Sequence, residues 1–178
     1  MMRKKINLGI IGGGFIVKNS HLPAYIVNNK IEQIFVAEPD LKKVSDLSKE
    51  FPNIKTCTNY RDILANERIE FVLIATPIST HYQLSMEALK SGKNILCQKP
   101  FCGDIDKANL ICEIAKRNNL KVAVCDSFRW YPSYMKTKKL LDDGLIGNLF
   151  YTSFNDHYYA DYRNYEQFYD KFLLLRNS

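Results

Sequence analysis

Three groups of residues in this 178-residue chain have the types and spacing to do chemistry. Gly12-Gly13-Gly14-Phe15-Ile16-Val17 follows an apolar stretch of strand character and opens a helical pattern, which supplies the first two glycines of the G-x-G-x-x-G/A dinucleotide pattern. In such a turn Gly12 permits the tight bend and Gly14 lets the backbone approach a pyrophosphate. Phe15 and Ile16 open the helix whose N-terminus meets the phosphate charge. Val17 stands where the third glycine or alanine belongs, which predicts looser helix-to-strand packing but not loss of phosphate binding. A purely structural Gly-rich link from strand to helix has the same local signature.

Glu38 ends the second predicted strand, 24 positions after Gly14, near the spacing of about 20 at which a carboxylate accepts from the adenine ribose. A carboxylate there repels a 2′-phosphate. The next residues, Pro39 and Asp40, include no arginine to welcome one, so NAD is favoured over NADP. Lys42 and Lys43 partly offset that charge, and a Glu38 that merely faces solvent is the alternative.

Lys99 follows the run Asn94-Ile95-Leu96-Cys97-Gln98, just beyond the carboxyl end of a strand, where open α/β sheets bind ligands. Pro100 fixes the turn. An ammonium held there can hydrogen-bond a substrate hydroxyl and ease its deprotonation while a hydride leaves the same carbon. A solvated surface lysine is the competing reading.

The elements that must position these groups show in the hydrophobic pattern. Short apolar runs at Ile6–Ile11, Gln33–Glu38, Lys55–Cys57, Phe71–Ala75, Asn94–Cys97 and Lys121–Val124 read as strands buried on both faces. Helical spacing predicts helices over Leu41–Phe51, Thr80–Ser91, Asp104–Asn118 and Pro132–Asp143. Asp104 caps the helix it opens, Gly92 ends its predecessor, Pro52 stops the helix after Phe51, and Pro23 predicts a kink or break after the first helix. The alternation implies an α/β fold with a doubly wound parallel sheet. Residues 1–125 are expected to form the dinucleotide-binding Rossmann domain and 126–147 a connecting helix, while 148–178 open with a strand-like Leu149–Phe154 and start a second unit.

Composition narrows the remaining classes. With 46% apolar and 25% charged residues the chain can bury a core, and its longest apolar run, Phe71 to Ala75, is far short of the roughly 20 residues of a membrane span. The net charge of +6 favours anionic partners, but no block of five like charges marks a nucleic-acid surface. The aromatic-basic stretch Ser127-Phe128-Arg129-Trp130-Tyr131 is read as interface or core packing. Five cysteines without a C-x-x-C pair indicate neither a disulfide framework nor a zinc knuckle, and point to the cytoplasm. His21, His81 and His157 share no metal-ligand spacing, so no metal is expected.

Read together, Gly9-Ile10-Ile11-Gly12-Gly13-Gly14-Phe15-Ile16-Val17, His21-Leu22-Pro23-Ala24, Ala75-Thr76-Pro77 with His81, Gly92-Lys93-Asn94-Ile95-Leu96-Cys97-Gln98-Lys99-Pro100 and Phe128-Arg129-Trp130-Tyr131-Pro132 resemble the Gfo/Idh/MocA oxidoreductases. The likeness runs in order from about Ile6 to Leu149. It implies an enzyme that oxidises or reduces sugars, cyclitols or related polyols by hydride transfer with a nicotinamide cofactor. A C-terminal α/β domain shapes the substrate site in that family, so the resemblance implies that 148–178 are the beginning of a second, truncated α/β domain. By the same resemblance Lys99 is the catalytic lysine of a Glu-Lys-Pro motif that contacts substrate and nicotinamide ribose, with Gln98 replacing the usual Glu. An amide still hydrogen-bonds ribose but carries no charge. Thr76 and Pro77 match the loop beside the cofactor, His81 a residue near that loop, and Arg129 an arginine at the last Rossmann strand. Each also has a structural alternative as a cap, turn or packing residue.

Members of the family are much longer and place an Asp and a His four apart on a helix of the second domain. Asp156 and His157 are adjacent and cannot form such a pair. The expectation is therefore a chain that binds dinucleotide but lacks its acid/base pair, and whose aromatic tail promotes homo-oligomers. A non-catalytic dinucleotide module or redox sensor, and a basic nucleic-acid binder, stand as alternatives; the latter requires steep salt dependence.

Overall fold

The computed structural model describes residues 5–153. Six parallel strands, β1 Ile6–Ile11, β2 Ile31–Ala37, β3 Lys55–Cys57, β4 Ile69–Ile74, β5 Asn94–Cys97 and β6 Val122–Val124, form one sheet in the order β3-β2-β1-β4-β5-β6. This is the doubly wound Rossmann arrangement, in which the chain reverses its direction of travel across the sheet between β1 and β4. The predicted strands Ile6–Ile11, Lys55–Cys57 and Asn94–Cys97 match to the residue. β2 and β4 each begin two residues earlier than the apolar runs suggest, because Ile31 and Ile69 already pair with β1.

Alternation along the strands splits the core in two. Ile11, Val72, Ile74, Ile95 and Cys97 pack with Ile63, Leu84, Ala88 and Ile111 from α3 Tyr60–Ala65, α4 Ile78–Lys90 and α5 Ile105–Arg117. Leu8, Ile10, Val36 and Leu73 pack with Val17, Leu22 and Leu47, the last from α2 Leu41–Glu50. Successive side chains of a strand point to opposite faces, so a two-sided core demands the continuous apolar runs seen in the sequence.

Helix ends follow side-chain chemistry. Asp104 accepts from the amides of Asp106 at 2.8 Å and Lys107 at 3.2 Å, and Gly92, at φ +71°, ends α4 in the left-handed region. The short α3 escapes the periodicity analysis because one and a half turns carry little pattern; its signal is Asn59, which accepts from the Arg61 amide at 3.0 Å. After the glycine turn the chain is helical through 15–26, with a π-helical segment Val17–His21 leading into α1 Leu22–Ile26. Pro23 thus sits inside this run and does not break it. The π-helical segment directly before α1 changes the hydrogen-bond ladder where proline supplies no donor. Val17, which stands where the third glycine or alanine belongs, is fully buried at the start of the widened segment.

The chain divides after Tyr131 into two compact units. The second begins with α6 Pro132–Asp142, whose Lys138 and Lys139 pair with Asp142 and Asp143 one turn on. The strand expected at Leu149–Phe154 is not formed over Leu149–Ser153, which carry no regular structure, while Phe154 lies outside the described residues. Asp156, His157 and most of the aromatic tail likewise lie outside them. Among the described residues no helix is long and apolar enough to cross a membrane.

Candidate active site at the carboxyl rim of the sheet

Parallel pairing aligns the strand ends. The first amide past every strand but the edge strand β3 donates to the last carbonyl of a neighbour: Gly12 to Ala37 at 2.9 Å, Glu38 to Cys57 at 3.0 Å, Ala75 to Ile11 at 2.9 Å, Gln98 to Ile74 at 2.8 Å and Cys125 to Cys97 at 2.8 Å. This ladder sets the glycine turn, Glu38, Thr76 and Lys99 on one rim, with the switch point between β1 and β4 at its middle.

Each glycine of the turn has its own reason. Gly12 adopts φ +100°, and a Cβ there would overlap the Ala75 carbonyl oxygen, so the turn presses directly on the end of β4. At Gly13 a Cβ would stand 2.7 Å from Leu47 Cδ1 and 3.1 Å from Glu38 Cβ. A Cβ on Gly14 would meet nothing within 4 Å, which leaves open space in front of that backbone. Phe15 and Ile16 are exposed, and as first-turn positions their amides have no carbonyl one turn back. An open glycine followed by free helix N-terminal amides fits a pyrophosphate.

Glu38 is not a solvent-facing strand end. It is 6% exposed, and its Oε2 accepts from the Gly13 amide at 2.8 Å. Its Oε1 accepts from the Asp40 amide at 3.2 Å and lies 3.9 Å from Lys43 Nζ. The carboxylate therefore braces the turn, and Lys43 offsets its charge. Gly13, the position between the two pattern glycines to which G-x-G-x-x-G/A assigns no role, makes this contact.

Thr76 and Pro77 form the loop from β4 into α4. Thr80 Oγ1 donates to the Pro77 carbonyl at 2.7 Å, so the 2.7 Å contact between the two threonine hydroxyls is a bond from Thr76 Oγ1 to Thr80 Oγ1. His81 is 1% exposed, with Nε2 at 2.8 Å from the Thr76 carbonyl and Nδ1 at 2.9 Å from the Pro100 carbonyl. A neutral ring serves one of these oxygens and a doubly protonated ring serves both. The doubly protonated ring bonds both the loop after β4 and the loop after β5, the neutral ring one of them, and in both forms neither nitrogen turns toward the rim opening.

Lys99 is exposed, and its bond to Pro100 is cis. Gln98 is half-buried, with Oε1 at 3.4 Å from His21 Nε2. Arg129 lies in a short 3-10 turn, Phe128–Trp130, beyond β6, where its guanidinium stacks 5.0 Å from the centre of the Trp130 ring. The structure thus gathers Gly12, Gly14, Phe15, Ile16, Glu38, Thr76, Pro77, Gln98 and Lys99 along the rim, sets His81 beneath it, and occupies Arg129 with Trp130.

A family model described as an oxidoreductase family with an NAD-binding Rossmann fold, GFO_IDH_MocA, matches residues 6–125. An oxidoreductase of Formosa agariphila is 35% identical over 148 residues, covering 83% of this chain and 46% of that protein. A D-xylose 1-dehydrogenase (NADP(+)) of Hypocrea jecorina is 36% identical over 98 residues, covering 55% and 25%. The solved structure of GenD2 from gentamicin A biosynthesis, in complex with NAD, superposes with a TM-score of 0.74 at 23% identity, covering 82% of this chain and 41% of that one. The chain spans less than half the length of each of these relatives.

Proposed function

The chain belongs to the Gfo/Idh/MocA family of oxidoreductases with an NAD-binding Rossmann fold, and from that premise we propose that its rim binds NAD for hydride transfer to or from a sugar, cyclitol or related polyol. The carrying observation is the pairing of an open backbone at Gly14 with a buried carboxylate at Glu38, braced against Gly13. Gly14, Phe15 and Ile16 would receive the pyrophosphate, Glu38 the adenine ribose, and the loops at Thr76-Pro77 and Gln98-Lys99 the nicotinamide half. When bound, the nicotinamide ring supplies the hydride acceptor or donor. Lys99 Nζ can donate a proton to the oxygen on the reacting carbon in reduction, or hydrogen-bond that oxygen while its proton passes to solvent in oxidation.

NAD is preferred to NADP on this reading because Glu38 is buried and fixed, so a 2′-phosphate would meet a carboxylate that cannot swing away. Lys43 reduces that repulsion without removing it. The free thiols of all five cysteines support a reducing compartment such as the cytoplasm. Fluorescence titration of the chain with NADH and NADPH tests the proposal. Saturable NADH binding, at least tenfold tighter than NADPH, is expected, and tighter NADPH binding would overturn the cofactor assignment.

A further inference from the structure

His21 ends the π-helical segment that follows the glycine turn, and its ring reaches the segment that follows β5, 77 residues away in the chain. Nε2 stands 3.4 Å from Gln98 Oε1 and Nδ1 stands 3.1 Å from the Tyr25 hydroxyl. A carboxamide oxygen only accepts, so the first contact requires the hydrogen on Nε2. Burial holds the ring below its usual pKa and favours the neutral form, in which Nδ1 accepts from Tyr25. Burial also pushes the Tyr25 hydroxyl up to about 12, so it keeps its hydrogen at neutral pH. The donors run one way, from Tyr25 to His21 to Gln98.

That direction fixes the amide. With Oε1 turned to His21, the planar carboxamide presents its NH2 on the other side of Cδ. Among the described residues no protein group accepts from that NH2, and it is not a buried orphan. It sits beside Lys99 on the rim. We propose that His21 is a positioning residue that makes Gln98 a fixed hydrogen-bond donor to an acceptor oxygen on the nicotinamide half of the bound dinucleotide. A glutamate at this place would offer only acceptors when ionised, so the glutamine reverses the polarity of the contact. The inference rests on the dinucleotide reading above.

The test compares NADH with ADP, which has the adenosine and pyrophosphate but no nicotinamide riboside. Calorimetric titrations use the full chain as wild type, Gln98→Leu, His21→Phe, His21→Gln and the Gln98→Leu/His21→Phe double variant. Gln98→Leu should weaken NADH about tenfold, the scale of one hydrogen bond, and leave ADP within about twofold. His21→Phe should weaken NADH about threefold to tenfold alone and add almost nothing in the Gln98→Leu background. His21→Gln, which retains an N–H donor, should recover most of the loss. Unchanged NADH affinity in Gln98→Leu, equal loss for NADH and ADP, or independent addition of the two effects would overturn the proposal. If the wild type binds neither NADH nor ADP, the dinucleotide reading itself fails and this inference falls with it.

Discussion

Glu38 Oε2 accepts the Gly13 amide hydrogen at 2.8 Å, so the carboxylate at the end of β2 and the glycine turn after β1 are one unit. Removing the side chain leaves a buried donor unpaired, a cost of about 1–3 kcal/mol. Glu38→Ala should therefore lower the urea midpoint and weaken NADH binding together. Glu38→Gln can keep an acceptor for Gly13 but turns an NH2 toward the Asp40 amide and loses the charge, so its expected signature is a smaller NADH-to-NADPH preference with a smaller loss of stability than Glu38→Ala. Titration of both cofactors beside urea denaturation checks this, and an unchanged preference in Glu38→Gln would remove Glu38 from the ribose site.

Gly12 and Gly14 should respond differently to the same methyl group. Gly12→Ala forces an L-residue to φ +100° and drives Cβ into the Ala75 carbonyl, with the backbone conformation alone costing about 1–3 kcal/mol. Gly14→Ala meets no protein atom, so its stability should stay within about 0.5 kcal/mol of wild type. Its NADH affinity should nevertheless fall at least tenfold, because the methyl occupies the space left for phosphate. Thermal melts and fluorescence titrations on the two variants separate the effects.

Much of this was legible in the sequence, and the parts that were not have a common cause. Strand runs such as Asn94–Cys97 are readable because a doubly covered strand must be apolar throughout, and Asp104 because a cap is a local bond. The rim position of Glu38 and Lys99 follows from strand ends. What the sequence withheld are contacts between segments: Gly13 with Glu38, His21 with Gln98, and the His81 ring set between the Thr76 and Pro100 carbonyls. Spacing and periodicity report neighbours along one element and carry nothing about a partner 77 residues away. The π-helical segment escaped for a related reason, since apolar spacing does not distinguish a locally widened turn from an ordinary one.

His81→Leu should expose the role of the tie beneath the rim. The variant keeps apolar bulk but removes the ring N–H that serves the Thr76 or Pro100 carbonyl, at an expected cost of about 1–3 kcal/mol. Urea unfolding reads that cost. A midpoint equal to wild type would show that the two loops are held by other means.

Acidification should destabilise the fold through His21. Burial lowers its folded pKa below the usual 6.5, so as pH falls through 6.5 the unfolded chain takes up a proton before the folded chain does. Stability from this group is complete above pH 6.5 and declines below it until the folded ring protonates. His21→Gln removes the titration, so the difference in urea midpoint between pH 7.5 and pH 5.5 should be smaller in the variant. A larger or unchanged difference would contradict the assignment of a neutral, buried ring.

Hydrogen–deuterium exchange with and without NADH addresses most directly whether the rim is a dinucleotide site. The structure predicts protection in peptides that cover residues 12–18, 38–40, 76–80 and 98–100, and no change along the outer turns of α5 Ile105–Arg117. Protection absent from the glycine turn, or confined to segments away from the strand ends, would contradict the account.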